Sequence, residues 1–337
     1  MPHSKPMSRF APPVALITAL VVVAGCGPMA YKITPVPADQ TLEESVVLKD
    51  KGLALSKIAL IDIEGVIMDA RKPHLFGEGE HPVSLLTEKL DKAASDSMVK
   101  AVILRINSPG GTVTASDLMY NEVKHFKQVT GGKRPVVAVL MDVAASGGYY
   151  IACSADEIVA HPTTVTGSIG VIMQMVNFSD TMNKIGVSAD AITSGKMKDA
   201  GSPLRKMKAE EREVFKKMVD QFYDRFVDVV AAGRPKLTKA RIREVADGRV
   251  YSAGQALELG FVDRIDDLRG TVGVLKKQLG LGRVQVVTYD RPLGWKPNLY
   301  AAAPGNGPQV NLINVNLPQT WPRTTPQFLY LWAPELF

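Results

Sequence analysis

The sequence predicts an α/β domain, on two observations. Apolar runs of strand length recur at Lys57–Ile63, Val99–Ile106, Val136–Met141 and Glu157–Ala160. Between them lie segments with helical character, at Val83–Ala94, Ala115–Gln128 and Gly148–Ala155. Continuous apolar strands alternating with amphipathic helices describe βα units and a sheet covered on both faces. Composition agrees: 337 residues, 46% apolar and 22% charged, make an ordinary globular chain with room for one large domain plus appendages.

Taken from the N-terminus, the first element is a targeting segment over residues 1–25. Lys5 and Arg9 precede an apolar run from Val14 to Val23, too short for a comfortable membrane span and fitting a secretory signal. Val23-Ala24-Gly25-Cys26 resembles a bacterial lipobox, in which Cys26 would be lipidated and become the mature N-terminus. Acyl chains would then hold an exported protein at a membrane, facing the periplasm or the cell exterior. Gly27 in place of an aspartate does not ask for inner-membrane retention. An ordinary signal, or an uncleaved anchor with an incidental cysteine, is the other reading of the same residues. Residues 26–54 read as a Pro-containing linker, followed by a main domain over 55–280. The other cysteine, Cys153, sits among Ile151, Ala152 and Ala155 and is expected to be a buried structural thiol.

The clearest helix covers Ala209–Ala232. Phe215, Met218, Val219, Phe222, Phe226 and Val229 form its apolar stripe, and Gly233 and Pro235 stop it. Asp247-Gly248-Arg249-Val250-Tyr251-Ser252 and a helix through Ala253–Leu259 follow. Residues 281–337 form a tail that becomes Pro-rich after about residue 288. Its end, Phe328-Leu329-Tyr330-Leu331-Trp332, is too apolar for a solvated linker and should dock on the domain, on a neighbour or on a membrane. The net charge of +6 is spread along the chain. Its densest part, Arg205–Lys217, is interrupted by Glu210, Glu211 and Glu213 and has no interleaved aromatics, so nucleic acid is not an expected partner.

The chemistry concentrates in three short segments. Ala144-Ala145-Ser146-Gly147-Gly148 sets a serine among small residues before an apolar stretch. A serine hydroxyl needs a base to become a nucleophile. None of the five histidines sits in a motif that reads as catalytic; His161, at a strand end, is the best placed. The alternative base is an amine in Ser194-Gly195-Lys196-Met197-Lys198-Asp199. A lysine serves as a base only when neutral, which requires burial or nearby positive charge to lower its value from about 10.4. Lys196 and Lys198 would share one side of an extended segment, so spacing does not choose between them. Asp199 must point away from whichever serves. Asn107-Ser108-Pro109-Gly110-Gly111-Thr112 follows a strand and precedes a helix, where Gly-Gly can turn backbone N–H groups into a concave anion site. No G-x-x-x-x-G-K-[ST] occurs, and no cofactor or metal is expected.

These segments, with Thr166-Gly167-Ser168-Ile169-Gly170-Val171, Ser194–Pro203 and the Asp247–Tyr251 motif, resemble the signal peptide peptidase A family over roughly residues 55–280. The chain is similar to that family's short, single-copy form. The resemblance implies a ClpP/crotonase-like fold and peptide cleavage by a Ser/Lys dyad. By position it makes Ser146 the nucleophile and Lys198, rather than Lys196, the general base. Ser168 would orient the lysine, and the N–H groups of Gly111 and Gly147 would form the oxyanion hole. It further implies a homo-oligomeric ring in which Ser146 meets Lys198 of the next subunit. The implied substrates are remnant signal peptides and other unfolded, apolar segments near the membrane. One departure is Lys208, which stands before Ala209-Glu210-Glu211 where the family often has a hydroxyl cap. Two other functions share parts of the pattern: a crotonase-like acyl-thioester enzyme, and a non-catalytic lipoprotein scaffold. The export signal argues against the first, and the complete set Ser146, Ser168, Lys198 and Gly111 against the second.

Overall fold

The computed structural model describes residues 41–70, 80–291 and 327–332. The signal segment, Cys26, His74, most of the linker and most of the tail lie outside the described residues. The elements are β1 (Glu43–Lys49), β2 (Ser56–Glu64), α1 (Pro82–Ser95), β3 (Val99–Ser108), β4 (Gly110–Thr112), α2 (Val113–Val129), β5 (Val136–Ala145) and α3 (Gly147–Ala152). They continue as β6 (Glu157–Ala160), β7 (Val165–Gly167), β8 (Ile172–Gln174), α4 (Ser179–Lys184), α5 (Ala209–Gly233), α6 (Lys239–Val245), β9 (Val250–Ser252) and α7 (Ala253–Glu258). Last come β10 (Arg264–Ile265), α8 (Leu268–Gln278), β11 (Val284–Asp290) and β12 (Gln327–Leu331).

The main sheet runs β1-β11-β2-β3-β5-β6-β10, and from β11 to β10 its neighbours are parallel. Alternation along each strand feeds two cores. Ala59, Ile61, Val102, Leu104, Ala138 and Leu140 join the core that α1, α2, α3 and α5 cover. Ile58, Leu60, Ala101, Ile103, Val137 and Val139 face the other side, where Leu268, Val272 and Leu275 of α8 close over them. Burial on both faces is why these strands read as unbroken apolar runs rather than as alternating ones. The expected α/β class is the class observed.

Two boundaries differ from those expected. The linker assigned to 26–54 already contains β1, antiparallel to β11 with Glu44 opposite Tyr289 and Val46 opposite Val287. This edge strand leaves Glu43, Glu44 and Val46 exposed, so its composition resembles a linker. The tail assigned from 281 begins later, because β11 lies inside the sheet between β1 and β2. Val284 and Val286 enter one core, and Val287 and Tyr289 the other.

A second, small sheet is ordered β4-β12-β8. Its middle strand comes from the tail. Among the three places the sequence left open for Phe328–Trp332, the domain itself is where these residues lie. Among the described residues, no helix is long and apolar enough to cross a membrane.

Candidate active site

β5 ends at Ala145, opposite Gly167 of β7, and the chain turns sharply into α3. Ser146 makes the turn with φ 52° and ψ −116°. A positive φ at a residue with a Cβ costs on the order of 1–3 kcal/mol and persists only where its surroundings over-determine it. Here the Ser146 N–H donates to the Gly167 carbonyl at 2.7 Å, and the Tyr150 N–H donates to the Ser146 carbonyl at 2.8 Å. The hydroxyl makes no capping bond to α3, and the residue is 1% exposed. Small neighbours are obligatory. A Cβ at Gly147 would stand 2.4 Å from Ser116 Oγ, and one at Gly148 2.7 Å from the Ser108 carbonyl oxygen.

Gly110 and Gly111 lie against this turn. The Ile67 N–H donates to the Gly110 carbonyl at 2.9 Å, and the Thr112 N–H to the Ile67 carbonyl at 2.8 Å. Backbone polar groups alternate sides along an extended segment, so the Gly111 N–H points the other way, toward β12. Tyr330 is opposite Gly111. Two residues along, the Trp332 N–H donates to the Pro109 carbonyl at 2.8 Å, which gives Tyr330–Gly111 the parity of a hydrogen-bonded pair. The Tyr330 carbonyl oxygen lies only 2.0 Å from where a Gly110 Cβ would be, and 3.1 Å from where a Gly147 Cβ would be. One carbonyl oxygen is thus packed against both glycine turns.

Ser168 stands beside this centre, one residue after the Ala145–Gly167 pair, with φ 48° and its N–H donating to the Arg249 carbonyl at 2.8 Å. The Asp247–Tyr251 motif explains itself here. β9 pairs with β7, and the Tyr251 ring lies 2.8 Å from where a Gly167 Cβ would be. Ser146, Ser168, Gly111 and Gly147 are therefore brought together by β4, β5, β7 and the start of α3.

Lys198 is placed differently. It is exposed, in a turn closed by its own N–H donating to the Gly195 carbonyl at 3.0 Å. Among the described residues its ammonium makes no hydrogen bond or ion pair. Lys196 is exposed too and pairs with Glu210 at 3.1 Å. Asp199 is held by Arg205, whose Nε meets its carboxylate at 2.6 Å, and Arg205 Nη2 holds buried Glu211 at 2.5 Å. The Arg205 hydrogen bonds keep both carboxyls below their ordinary values. Glu211 also accepts the Lys208 N–H at 3.3 Å, supplying the cap contact that Lys208 cannot give through its own side chain. His161 is occupied elsewhere, with Nδ1 3.0 Å from Thr163 Oγ1. Cys153 is buried, and desolvation pushes its thiol up to about 12, as suits a structural cysteine. No cluster of metal-ligating side chains occurs among the described residues.

Sequence reasoning gave no role to Tyr150, Asp117, Arg225 or Arg205. The Tyr150 hydroxyl bonds Asp117, which Arg225 holds in turn at 2.8 Å. Only the adjacency of Tyr150 to Ser146-Gly147-Gly148 hinted at it.

The model of peptidase family S49 matches residues 129–282. A protein of Enterococcus faecium provisionally named signal peptide peptidase SppA is 38% identical over 251 residues, covering 74% of this chain and 70% of that protein. The chain belongs to peptidase family S49. Two further relatives are much longer than this chain. Protease 4 of Haemophilus influenzae is 34% identical over 242 residues, which are 71% of this chain but 37% of that protein. The chloroplastic serine protease SPPA of Arabidopsis thaliana is 34% identical over 247 residues, 72% of this chain and 36% of its own. Among solved structures, a membrane-bound stomatin-specific protease aligns with a TM-score of 0.42 and 15% identity, over 66% of this chain and 85% of that one. ClpP1 of Listeria monocytogenes aligns with a TM-score of 0.41 and 19% identity, over 63% and 92%.

Proposed function

We propose that this S49 peptidase is a serine endopeptidase acting on extended, unfolded apolar peptides, with remnant signal peptides as the substrate class. The observation that carries this reading is the Tyr330 carbonyl oxygen seated against Gly110 and Gly147, beside the strained Ser146 turn. In catalysis Ser146 Oγ attacks a carbonyl carbon held in that place. Its proton passes to the Lys198 amine, and the N–H groups of Gly111 and Gly147 stabilise the developing oxyanion. The amine then protonates the leaving nitrogen as the C–N bond breaks, and water hydrolyses the acyl-enzyme by the same route.

In this reading the base comes from a neighbouring subunit of a homo-oligomeric ring. The segment carrying Lys198 is flanked in sequence by exposed apolar side chains: Val176, Phe178, Ile185, Val187, Ile192 and Leu204, with Ile192 fully exposed. Such a patch on one protomer favours burial against another copy. That burial would desolvate the amine and leave it neutral. Lipidation of Cys26 would keep the exported ring at a membrane surface, close to its apolar substrates.

The decisive experiment mixes Ser146→Ala protein with Lys198→Ala protein, each inactive alone on a fluorogenic peptide. Mixed rings should regain part of the activity, because some interfaces pair an intact serine with an intact lysine. No recovery, with exchange of subunits verified by mass, would place the dyad within one chain and sink the shared-site reading.

A further inference from the structure

The two backbone donors assigned to the oxyanion belong to different elements. Gly111 lies in β4, one residue before Thr112, whose hydroxyl caps α2 by accepting the Ala115 N–H at 3.4 Å. Gly147 opens α3, a helix of six residues. So short a helix makes under two turns and does not hold a direction by itself. The spacing of the two donors is therefore set by whatever ties α2 to α3, and two successive residues of α2 make that tie. Ser116, donating to the Thr112 carbonyl at 2.9 Å, puts its Oγ in the space a Gly147 Cβ would need, which stops α3 from coming closer. Asp117 accepts a hydrogen bond from the Tyr150 hydroxyl, which stops α3 from moving away. The Tyr150 N–H donates to the Ser146 carbonyl at 2.8 Å, so this pull acts on the serine turn itself.

The bond is fixed at both ends. Arg225 of α5 donates to the same Asp117 oxygen through Nε at 3.1 Å and Nη2 at 2.8 Å, and Asn121 Nδ2 donates to the other oxygen at 3.0 Å. Tyr150 is fully buried. Tyr120 of α2 meets its ring edge-on at 5.4 Å, Phe226 of α5 at 5.0 Å, and Tyr330 of β12 stacks on it at 5.1 Å. Burial, with Asp117 beside it, keeps the phenol protonated, so a hydroxyl donates to a carboxylate, a strong pairing. Tyr149 is tied elsewhere: its hydroxyl donates to the Phe261 carbonyl at 2.8 Å, in the loop between α7 and β10. That bond anchors α3 too, but not to the helix that follows Gly111.

We infer that Tyr150, acting through Asp117, is a positioning residue of the oxyanion site: its hydroxyl fixes α3 against α2 and so sets the separation of the Gly147 and Gly111 N–H groups. The inference rests on the peptidase reading and adds two residues to its machinery. Oxyanion donors act only when held close to hydrogen-bond distance from the developing charge, and tolerances are about half an ångström. Slack between the two helices weakens one donor or the other. The aromatic ring, by contrast, stays where it is when only its hydroxyl is removed. Loss of the hydroxyl should therefore slow turnover without weakening substrate binding. Arg225 contributes at one remove, by holding the carboxylate that the hydroxyl needs.

Hydrolysis of a fluorogenic peptide by the full chain tests this. Tyr150→Phe should lower kcat about tenfold and leave KM within about twofold. Asp117→Ala should match it. The double variant should be no slower than either single one, because both changes remove the same bond. Asp117→Asn keeps an oxygen for the phenol while giving up the ion pair, and should recover to about threefold below the native rate. Tyr149→Phe loses a hydrogen bond of α3 that does not reach α2, and should hold kcat within about twofold. A peptide aldehyde, whose serine adduct carries its oxygen into the oxyanion site, should bind Tyr150→Phe about tenfold more weakly than the native chain. Unchanged kcat in Tyr150→Phe, losses that multiply in the double variant, or an equal loss in Tyr149→Phe would each overturn the inference. Should Tyr150→Phe and Asp117→Ala fail to fold, Asp117→Asn and Arg225→Ala carry the test, each about threefold down in kcat at constant KM; native turnover in both overturns it equally. A native chain that neither cleaves peptide nor binds the aldehyde would defeat the peptidase reading itself. A native chain that cleaves peptide beside an unimpaired Tyr150→Phe would defeat the positioning alone.

Discussion

Ser146 and Lys198 occupy opposite kinds of surroundings. Ser146 is buried at a strand end, its turn held by two backbone hydrogen bonds and by glycines that admit no added atom. Lys198 stands exposed in a segment flanked by uncovered apolar residues, and the ties near it belong to Arg205 rather than to the lysine. On the proposed reading, the nucleophile half is finished by one chain, whereas the base half awaits a neighbouring subunit. Changes in the first should fail by collision and changes in the second by loss of positioning.

The largest effect should separate the two lysines. Lys198→Ala is expected to lower kcat on the order of 10³-fold, the range of a lost general base, while Lys196→Ala stays within about twofold. Comparable losses for both in a peptide assay would show that the assignment between them is wrong. Next in size is Gly147→Ala, whose Cβ would press on Ser116 Oγ at 2.4 Å and on the Tyr330 carbonyl oxygen at 3.1 Å. A kcat loss of about 10²–10³-fold with unchanged circular dichroism is expected. A fully active Gly147→Ala enzyme would remove this glycine from the oxyanion site.

Arg205→Ala should cost about tenfold in kcat, because Asp199 is freed to approach the lysine turn and Glu211 loses its cationic partner. The clamp also carries a pH signature. Asp199 and Glu211 titrate below their ordinary values when held by Arg205, so the stabilisation is complete above about pH 4–5 and is lost as pH falls through the lowered values. Hydrogen-exchange protection over residues 195–208, relative to the intrinsic rate at each pH, should therefore fall in acid for the native chain, and already be low at pH 7 for Arg205→Ala. Identical exchange in both proteins at pH 7 would count against the clamp. The smallest effect is expected at Cys153. Burial raises its thiol to about 12, leaving little thiolate at pH 8, so alkylation by iodoacetamide should be far slower than for a free thiol until the protein unfolds. Rapid labelling of the folded chain would contradict its burial.

The same contrast governs what could be read from residue order. The strands feeding both cores announce themselves, because Ile58–Ile63 and Val99–Ile106 are buried on both faces. The serine turn is legible through its neighbours, since Gly147 and Gly148 are small for a steric reason local to the chain. β1 and β11 escaped notice: an edge strand with exposed glutamates resembles a linker, and β11 lies next to a Pro-rich stretch. Tyr330 was legible only as part of an apolar cluster. Its pocket joins residues more than a hundred positions apart, and nothing in local pattern links Phe222 to position 330. The preference for Lys198 over Lys196 came from family register, and the alternation of the two residues carried none of it.

The order β4-β12-β8 has a consequence for solubility. Two three-residue strands with unpaired edges flank an apolar trough, and such edges recruit any extended segment that passes, including those of sister chains. The tail strand caps both edges at once. A chain ending before residue 327 should accordingly add indefinite, concentration-dependent association to its defined assembly, so the last residues guard colloidal stability as well as the groove.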